Sequence, residues 1–539
     1  MDIKKNYNQQ KINLFTSFLI FKNFTKIQSF IALFCIYSYS VSSQIEKPND
    51  KSIIQSSNKL NVLLIIADDL NCDLGAYKNL IVKTPNIDRL AQRGVLFENA
   101  HNQYPLCGPS RASFMTGMYS NQTKITKNNM NIRNSVPDVI TMGQRFRQQG
   151  YQSIRIGKMF HYDNPSAIGT SGNDDIYSWD QTVNPYGRDK LEEYKINTLS
   201  PRKYGGTLSW LAADGNDNEQ TDGIAATEAI KKLDDFVGKD IPFFLAVGFF
   251  RPHTPFVAPK KYFDFYNREQ INIPEISSDY LTTLPDPAVK SIRAKKNQIN
   301  LGKEQAQEIK EAYYATISFV DAQVGRILDH LEATGLDKNT VIVFTSDHGY
   351  HLGEHGHWQK QTLFENATRV PLIISTPGLE NKGVTSNSPV ELIDIYPTLM
   401  ELTDIMTPKH VVGRSLVPII ENVNATVRES ALTRWRKGYS IKTTRYRLTK
   451  WGVNGEFGYE LYDHQNDKNE LINLANNKKY KDIMDSLKLM IEQRILDASI
   501  KPEGLGRQFE NAKLMQKAKN ITFGDIHDIN GEILHFKNE

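Results

Sequence analysis

Three carboxylates and one histidine stand at the ends of two apolar segments that lie far apart in the chain. Asp68 and Asp69 close the segment LNVLLIIADD, and Asp347 with His348 closes NTVIVFTSDHG. Both segments predict strands buried on both faces, and ligands of open α/β sheets bind beyond the carboxyl ends of such strands. Three carboxylates suit a hard cation such as Ca²⁺ or Mg²⁺, whereas Zn²⁺ prefers more histidine or cysteine. The four residues predict a metal site, and simple capping of loops is the alternative for the acid pair alone.

A cysteine with distinctive neighbours is the second chemical feature. Cys107 opens the stretch CGPSRASFMTG, which reads as the start of a helix. The chain has three cysteines, and the predicted leader removes Cys35. Two remaining thiols are too few for a disulfide scaffold, and a single bridge between Cys72 and Cys107 is the alternative to two free thiols.

The stretch that starts at Cys107 resembles the signature of the type I sulfatases, which is Cys-x-Pro-Ser-Arg with a trailing Thr-Gly. Met115 stands where that family usually has leucine. Further blocks match in family order: NVLLIIADDLNCDLGAY, TPNIDRLAQRGVLFENAH, GKMFH, RPHTPF, TSDHGYHLGEHGHWQK and VPLIISTPG. The resemblance covers nearly the whole mature chain, and several blocks look like those of iduronate-2-sulfatase and its bacterial relatives. The chain is therefore identified as a member of the formylglycine-dependent sulfatases.

This resemblance implies a role for each residue of the site. A maturation enzyme would convert Cys107 to formylglycine, whose hydrated aldehyde attacks sulfur, and Arg111 would support it. One bound Ca²⁺ would take its ligands from Asp68, Asp69, Cys107, Asp347 and His348. The remaining catalytic residues are two lysines that grip the sulfate and two histidines, one beside the formylglycine and one near the leaving oxygen: Lys158, Lys360, His161 and His253.

The segment YHLGEHGHWQK contains three further histidines, which suggest a second metal site. We interpret it instead as a loop that carries Lys360, with a histidine or two lining the substrate pocket. Trp358 in this segment either stacks on a sugar or packs in the core, and the sequence leaves both open. The three histidines are His351, His355 and His357.

Strand and helix signals alternate over the elements that must position these residues. Thr84, Pro85 and Gly94 mark the N-cap, the first position and the end of one helix. Other helices are predicted at about 137–149, 222–236 and 303–334 and in SPVELIDIYPTLMELT. This alternation predicts an α/β fold with a large, mostly parallel central sheet flanked by helices. The resemblance implies the alkaline-phosphatase-like fold of the sulfatases.

The pattern changes after about residue 425. The segment ESALTRWRKGYSIKTTRYRLTKW alternates apolar and basic residues, which predicts antiparallel strands. The following YELYDHQNDKNELINLANN is typical of a loop, and a helix is predicted over about 477–497. We expect a catalytic domain over 44–425 and a smaller α+β C-terminal subdomain with an antiparallel sheet over 426–539.

The first residues predict a secretory signal peptide. A basic start is followed by an apolar run at 30–41 and by small residues, with cleavage expected after Ser43. Lipidation at Cys35 is the less favoured alternative, because bulky Phe34 precedes it. Removal of residues 1–43 takes away five lysines and one aspartate, which lowers the formal net charge from +4 to about zero. We expect a periplasmic or secreted protein without stable membrane insertion and without a nucleic-acid partner.

The resemblance implies a sulfated carbohydrate as substrate. We expect exo action on oligosaccharides from an algal polysaccharide such as ulvan, or from a glycosaminoglycan, with loops at 161–215 and 254–300 setting specificity. A phosphatase or phosphodiesterase of the same superfold is the first alternative, but those families use threonine or serine where this chain has Cys107. An inactive glycan-binding paralogue is the second, and the filled catalytic positions argue against it.

Overall fold

The structure, a computed structural model, describes residues 59–277 and 279–514 and the backbone of a strand at Asp525–His527. The predicted signal peptide lies outside the described residues. Within the described part of the chain, no helix is long and apolar enough to cross a membrane. Cys72 and Cys107 are both free thiols, so the bridge considered above is not formed.

Strands of the described residues form five sheets. In chain order the strands are β1 (Asn61–Asp68), β2 (Val95–Phe97), β3 (Ala100–His101), β4 (Gln152–Gly157), β5 (Gln181–Pro185), β6 (Asn197–Thr198), β7 (Ser209–Ala213), β8 (Phe243–Pro252), β9 (Phe256–Pro259), β10 (Thr340–Ser346), β11 (His351–Leu352), β12 (Trp358–Gln359), β13 (Leu372–Ser375), β14 (Val384–Ser386), β15 (Val390–Glu391), β16 (Ala431–Trp435), β17 (Gly438–Lys442), β18 (Tyr446–Trp451), β19 (Tyr459–Asp463) and β20 (Asp525–His527).

Helices alternate with these strands as the sequence predicts. In chain order they are α1 (Pro85–Arg93), α2 (Cys107–Thr116), α3 (Ser120–Thr123), α4 (Ile132–Ser135), α5 (Met142–Gln148), α6 (Arg188–Leu191), α7 (Thr221–Asp234), α8 (Lys260–Phe263), α9 (Asp286–Ile292), α10 (Lys303–Ala333), α11 (Glu365–Thr368), α12 (Ile395–Leu402), α13 (Val417–Glu421) and α14 (Lys481–Ser499). Short 3-10 turns connect several of them.

The central sheet has nine strands in the order β14-β2-β13-β10-β1-β8-β4-β5-β20. β1 lies in the middle and pairs in parallel with β10 on one side and β8 on the other. β13 is the exception, since it runs antiparallel to both of its neighbours. The predicted α/β fold with a mostly parallel central sheet is confirmed.

Helices cover both faces of this sheet, which explains why β1 is apolar along its whole length. Successive side chains of a strand point to opposite faces. Leu63 and Ile65 pack with the core that α1, α7 and α10 form on one face. Leu64 and Ile66 pack with α2, α5 and α12 on the other face. Because neither face of β1 meets solvent, its sequence does not alternate between apolar and polar residues.

The start of α1 shows how tertiary contacts replace a local signal. α1 begins at Pro85 and ends before Gly94, as predicted, but the Thr84 side chain does not cap it. Asp321 of α10 accepts hydrogen bonds from the backbone amides of Asn86 and Ile87 at 3.0 and 2.8 Å. Thr84 is the N-cap residue, as predicted, and a carboxylate from another helix takes the place of its side chain as the acceptor for the first helical amides.

The C-terminal region carries a separate four-stranded antiparallel sheet in the order β16-β17-β18-β19. The antiparallel strands were predicted, but the loop interpretation of YELYDHQNDKNELINLANN is wrong in its first residues, which form the edge strand β19. α14 packs Met484, Leu487 and Ile491 against the apolar face of this sheet. The domain boundary at residue 425 stays a prediction.

Candidate active site

The site begins where β1 and β10 end side by side. Their register pairs Ala67 with Ser346, so the residues that follow each strand leave the sheet at the same edge. The Asp69 amide donates a hydrogen bond to Asp347 Oδ1 at 3.1 Å. Asp69 has a φ of +64°, in the left-handed region that a side chain rarely adopts. The strand ends therefore converge as the sequence predicts, and a strained turn brings the second acid back toward β10.

Cys107 lies at the first position of α2, with its side chain fully buried. Its Sγ is 3.2 Å from His348 Nε2, 3.2 Å from Lys360 Nζ and 3.7 Å from Asp69 Oδ1. Burial raises the pKa of the thiol well above its ordinary value, although Lys360 works in the opposite direction. A helix N-terminus carries partial positive charge, so an anion formed at this position is stabilised.

The residue after Cys107 must be small. A Cβ on Gly108 would lie 2.9 Å from the Cα of Asn128, and the Gly108 amide donates to the Asn128 side chain at 3.0 Å. Two residues further on, Ser110 Oγ donates to the Asp347 carbonyl at 2.5 Å. These contacts fix the start of α2 against the end of β10.

Arg111 lies one helical turn after Cys107 and joins the two strand ends. Its Nη2 donates to Asp68 Oδ1 and its Nε to Asp347 Oδ2, both at 2.9 Å, and Nη1 donates to the Lys158 carbonyl at 2.7 Å. The guanidinium is completely buried. Burial alone would lower its pKa, but the two carboxylates outweigh burial and raise it. The hydrogen bonds of Arg111 thus position the acids around Cys107.

Both predicted sulfate-binding lysines reach the acids from different elements. Lys158 follows β4 and contacts Asp68 Oδ2 at 2.5 Å, whereas Lys360 follows β12 and contacts Asp69 Oδ1. Burial raises the pKa of Asp68, but Lys158 and Arg111 outweigh it and hold that pKa well below the usual range. For Asp69 burial prevails over Lys360, and its pKa is raised. The site thus compensates its acids with three buried cations.

The two predicted catalytic histidines are placed differently. His253, in the loop after β8, has Nδ1 2.6 Å from the Thr254 carbonyl and Nε2 3.7 Å from Asp69 Oδ2. His161 is buried without a hydrogen bond to either ring nitrogen in the described residues, and its Nε2 is 3.4 Å from Asp163 Oδ1. Burial lowers the pKa of His161 to about 4. His253 therefore joins the acid cluster, while His161 lies at its margin.

The donor set fits a hard divalent cation. Two overlapping groups have ligand atoms that all lie within 4.8 Å of one another: Asp68, Asp69, Cys107 and His253, and Asp69, Cys107, Asp347 and His348. Together they contain the five predicted ligands. Three of the six residues are aspartates, and Ca²⁺ takes several carboxylate oxygens at 2.3–2.6 Å. The resemblance places His253 near the leaving oxygen, and the structure also puts its ring among these possible ligands.

Tyr313 of α10 is a site residue that sequence reasoning missed. Its hydroxyl donates to the Asp69 carbonyl at 2.8 Å and accepts from the Asn71 amide at 2.9 Å. This pair of bonds holds the strained turn after β1. The sequence does not indicate this role for Tyr313, because a tyrosine on the apolar side of a long helix is expected to be a core residue.

The histidine-rich segment forms a hairpin rather than a simple loop, since β11 pairs with β12. His357 links the hairpin to its surroundings, with Nδ1 2.7 Å from the Ile292 carbonyl and Nε2 2.9 Å from the Lys360 carbonyl. Trp358 packs in the core of the α10 face, which decides between its two interpretations. The segment carries Lys360 into the site, as predicted.

The site combines a buried cysteine at a helix start, an acid cluster at the ends of two strands and three buried cations, an arrangement that suits a hydrolase of anionic esters. The chain belongs to the sulfatase family: the family model described as Sulfatase matches residues 60–405, and the model described as N-sulphoglucosamine sulphohydrolase, C-terminal, matches residues 353–497. It is a sulfuric ester hydrolase with the fold of that family.

Individual relatives agree with this assignment. The chain is 36% identical over 457 residues to a sulfatase of Formosa agariphila, which covers 82% of this chain and 88% of the relative. It is 34% identical over 394 residues to iduronate 2-sulfatase of Homo sapiens, covering 66% and 70%. A solved structure in complex with its substrate D-glucosamine-2-N,6-O-disulfate superposes with a TM-score of 0.64 at 23% identity, covering 82% and 98%. At that identity the last likeness concerns the fold alone.

Proposed function

We propose that this sulfatase hydrolyses sulfate esters of a sulfated carbohydrate through a formylglycine formed from Cys107. One observation carries the proposal: the Cys107 Sγ is buried at a helix start, 3.2 Å from both Lys360 Nζ and His348 Nε2. A structural cysteine needs neither a cation nor a metal-ligand histidine at that distance. A group that transfers sulfate needs both, because negative charge develops on the sulfuryl oxygens.

Hydrated formylglycine supplies two hydroxyls on one carbon, one to attack sulfur and one to expel sulfate afterwards. Lys158 and Lys360 offset the charge on the sulfuryl oxygens from two sides of the acid cluster. Arg111 keeps Asp68 and Asp347 in place below the nucleophile position. Asp68, Asp69, Cys107, Asp347 and His348 would hold one Ca²⁺, which would supply a lowered pKa to a hydroxyl next to it.

His253 is proposed to protonate the leaving oxygen. With Nδ1 facing the Thr254 carbonyl at 2.6 Å, Nδ1 carries a hydrogen and Nε2 remains to take up and deliver a proton. His161, whose ring nitrogens have no hydrogen-bond partner in the described residues, is proposed to act as the base that helps to release sulfate.

The substrate class rests on the relatives. Iduronate 2-sulfatase is named for a sugar acid, and the resemblance of several sequence blocks points to that branch. We propose exo action on oligosaccharides from an algal polysaccharide such as ulvan, or from a glycosaminoglycan. The predicted signal peptide makes the protein periplasmic or secreted, where such polymers are met, and a formylglycine-generating enzyme is its maturation partner.

Mass spectrometry tests the central step. The tryptic peptide that spans residues 94–111 contains Cys107, and in protein from a host with the maturation enzyme it should be about 18 Da lighter than the cysteine form and react with aldehyde reagents. The same protein should release sulfate from sulfated oligosaccharides. Cys107→Ala should abolish release, and Cys72→Ala is the matched control that should retain it.

Full sulfatase activity from protein whose Cys107 is entirely unmodified would overturn the proposal. Modified protein that releases phosphate instead of sulfate would favour a phosphatase or phosphodiesterase. Modified protein that binds sulfated oligosaccharides without releasing sulfate would favour a glycan-binding protein on the same scaffold.

A further inference from the structure

A cavity of about 200 Å³ opens beside the segment that carries Lys360. It lies between α9, the turn that joins β16 to β17, and the loop after β18. Its lining is largely apolar and includes the rings of Trp435, Trp451 and Phe457. Phe457 is 50% exposed, whereas the two tryptophans are 6% and 4% exposed and form the floor. Nothing in the chemistry described above uses this cavity.

The cavity adjoins the nucleophile position. Gln361 lines it and directly follows Lys360, whose Nζ lies 3.2 Å from Cys107 Sγ. Consecutive Cα atoms are about 3.8 Å apart, so the backbone of Lys360 lies next to the wall of the cavity while its amine reaches the site. From the other side, the ring of Tyr104 packs edge-on against Trp435 with centroids 5.3 Å apart, three residues before Cys107. The two segments that carry Lys360 and Cys107 therefore both contact the lining of this cavity.

The rim of the cavity is positively charged. Lys290, Arg436 and Lys437 line it, and all three are exposed. The Arg436 guanidinium lies 5.3 Å from the centre of the Trp435 ring, which fixes its charge at the opening. The opposing charges are few: Asp286 Oδ2 is 4.0 Å from Lys290 Nζ, and Glu456 interacts with Lys437.

We propose that this cavity is a subsite for an anionic saccharide unit that is linked to the sulfated sugar, either a uronate or a second sulfated ring. This inference rests on the proposed function. Aromatic rings below match the apolar C–H face of a pyranose, and cations above match its carboxylate or sulfate. Sites of this composition, with apolar walls and a few placed polar groups, are typical of small-ligand recognition. The subsite selects acidic oligosaccharides over isolated sulfate esters.

Two double variants test the subsite, and each removes the same amount of positive charge. Lys290→Gln/Lys437→Gln removes two rim cations, and Lys239→Gln/Lys303→Gln removes two exposed lysines elsewhere. For each enzyme we compare kcat/KM for a sulfated disaccharide that contains one uronate with kcat/KM for 4-nitrophenyl sulfate, which has no neighbouring sugar. The ratio of the first kcat/KM to the second should fall about tenfold in the variant without the two rim lysines. In the control variant this ratio should stay within twofold of the wild-type value. An equal ratio in all three enzymes would overturn the subsite.

Binding provides a second readout that needs no turnover. An unsulfated disaccharide with one uronate is titrated into the protein while tryptophan fluorescence is followed, because Trp435 and Trp451 line the cavity. Binding should be saturable in the wild type, weaken at least fivefold in the rim variant and weaken with added salt. Binding that is the same in the rim variant would overturn the subsite. Wild-type protein that binds the disaccharide but hydrolyses neither ester would overturn the proposed function and leave the subsite supported.

Discussion

At the residue scale, Lys360 shows how local strain serves the site. Its neighbours Gln359 and Gln361 have φ values of +78° and +77°, in the left-handed region. Such conformations cost of order 1–3 kcal/mol each and persist only where the surroundings enforce them. Here His357 contacts the Lys360 carbonyl, and the amine contacts Asp69 and Cys107 Sγ. The strain lies on both sides of Lys360, the residue that the proposed mechanism needs on the sulfate.

Lys360→Met should lower kcat/KM for a sulfate ester by roughly 10²–10³-fold, since it removes one cation aimed at the developing charge. Steady-state kinetics on metal-loaded, modified protein measure the effect. Lys310→Met is the control. Lys310 lies on α10 and is also buried, but its amine donates to the Asn272 carbonyl and not to the acid cluster. Activity of the Lys360 variant within threefold of wild type would contradict the assigned role.

At the element scale, one buried arginine ties the antiparallel sheet to the active-site region. Arg447 of β18 donates to Glu470 Oε1 at 2.5 Å, to Ser440 Oγ at 2.9 Å and to Glu365 at the start of α11. Burial raises the pKa of both glutamates, but the basic groups nearby, His464 and Arg447 among them, outweigh burial and lower both pKa values. The network therefore couples β18 to the chain that follows Lys360.

Arg447→Met should destabilise the fold by about 3–5 kcal/mol at pH 7, because it leaves two buried carboxylates without their partner. Both pKa values are lowered in the wild type, so the stability that they contribute is present above about pH 4.5 and is lost as the pH falls through the folded values. In the variant, burial prevails and the glutamates take up protons more readily. The difference in unfolding free energy should therefore shrink between pH 7 and pH 4.5.

Urea denaturation at three pH values between these limits measures that difference. Arg445→Met is the matched control: Arg445 is two residues away, its side chain is 45% exposed, and it pairs with Asp463. An exposed pair of this kind is worth about 0–1 kcal/mol. A variant of Arg447 as mild as the control, or a difference that grows on acidification, would show that the network is not coupled as described.

The sequence predicts the sheet, the major helices and the convergence of strand ends, because each depends on apolar runs or on motifs that are continuous in the chain. It fails where the deciding contact comes from elsewhere. The helix expected at about 137–149 begins only at Met142, and β19 forms at the edge of a sheet that supplies its partners. Tyr313 and Arg447 carry no local signal, since their partners lie in other elements.

At the scale of the whole molecule, the acid cluster joins segments from both sides of the central sheet. A cation that binds the folded chain and not the unfolded one stabilises it by about 2.7 kcal/mol at a hundred times its Kd. Ca²⁺ should therefore raise the Tm of chelator-treated protein in calorimetry, and excess chelator should reverse the shift. Asp347→Asn should lose most of the increase, while Asp329→Asn, on the exposed side of α10, should keep it. A Ca²⁺ shift that is unchanged in Asp347→Asn would place the ion elsewhere.

The complete burial of Cys107 also has a consequence in time. His348, which lies 3.2 Å from the thiol, follows it by 241 residues in the chain. At a synthesis rate of 5–20 residues per second, Cys107 is synthesised about 10 to 50 s before His348. A maturation enzyme cannot reach a thiol with no exposed surface. The proposed conversion of Cys107 therefore has to precede folding around the thiol. Conditions that slow folding of the chain should raise the modified fraction, whereas rapid folding should leave an unmodified and inactive cysteine.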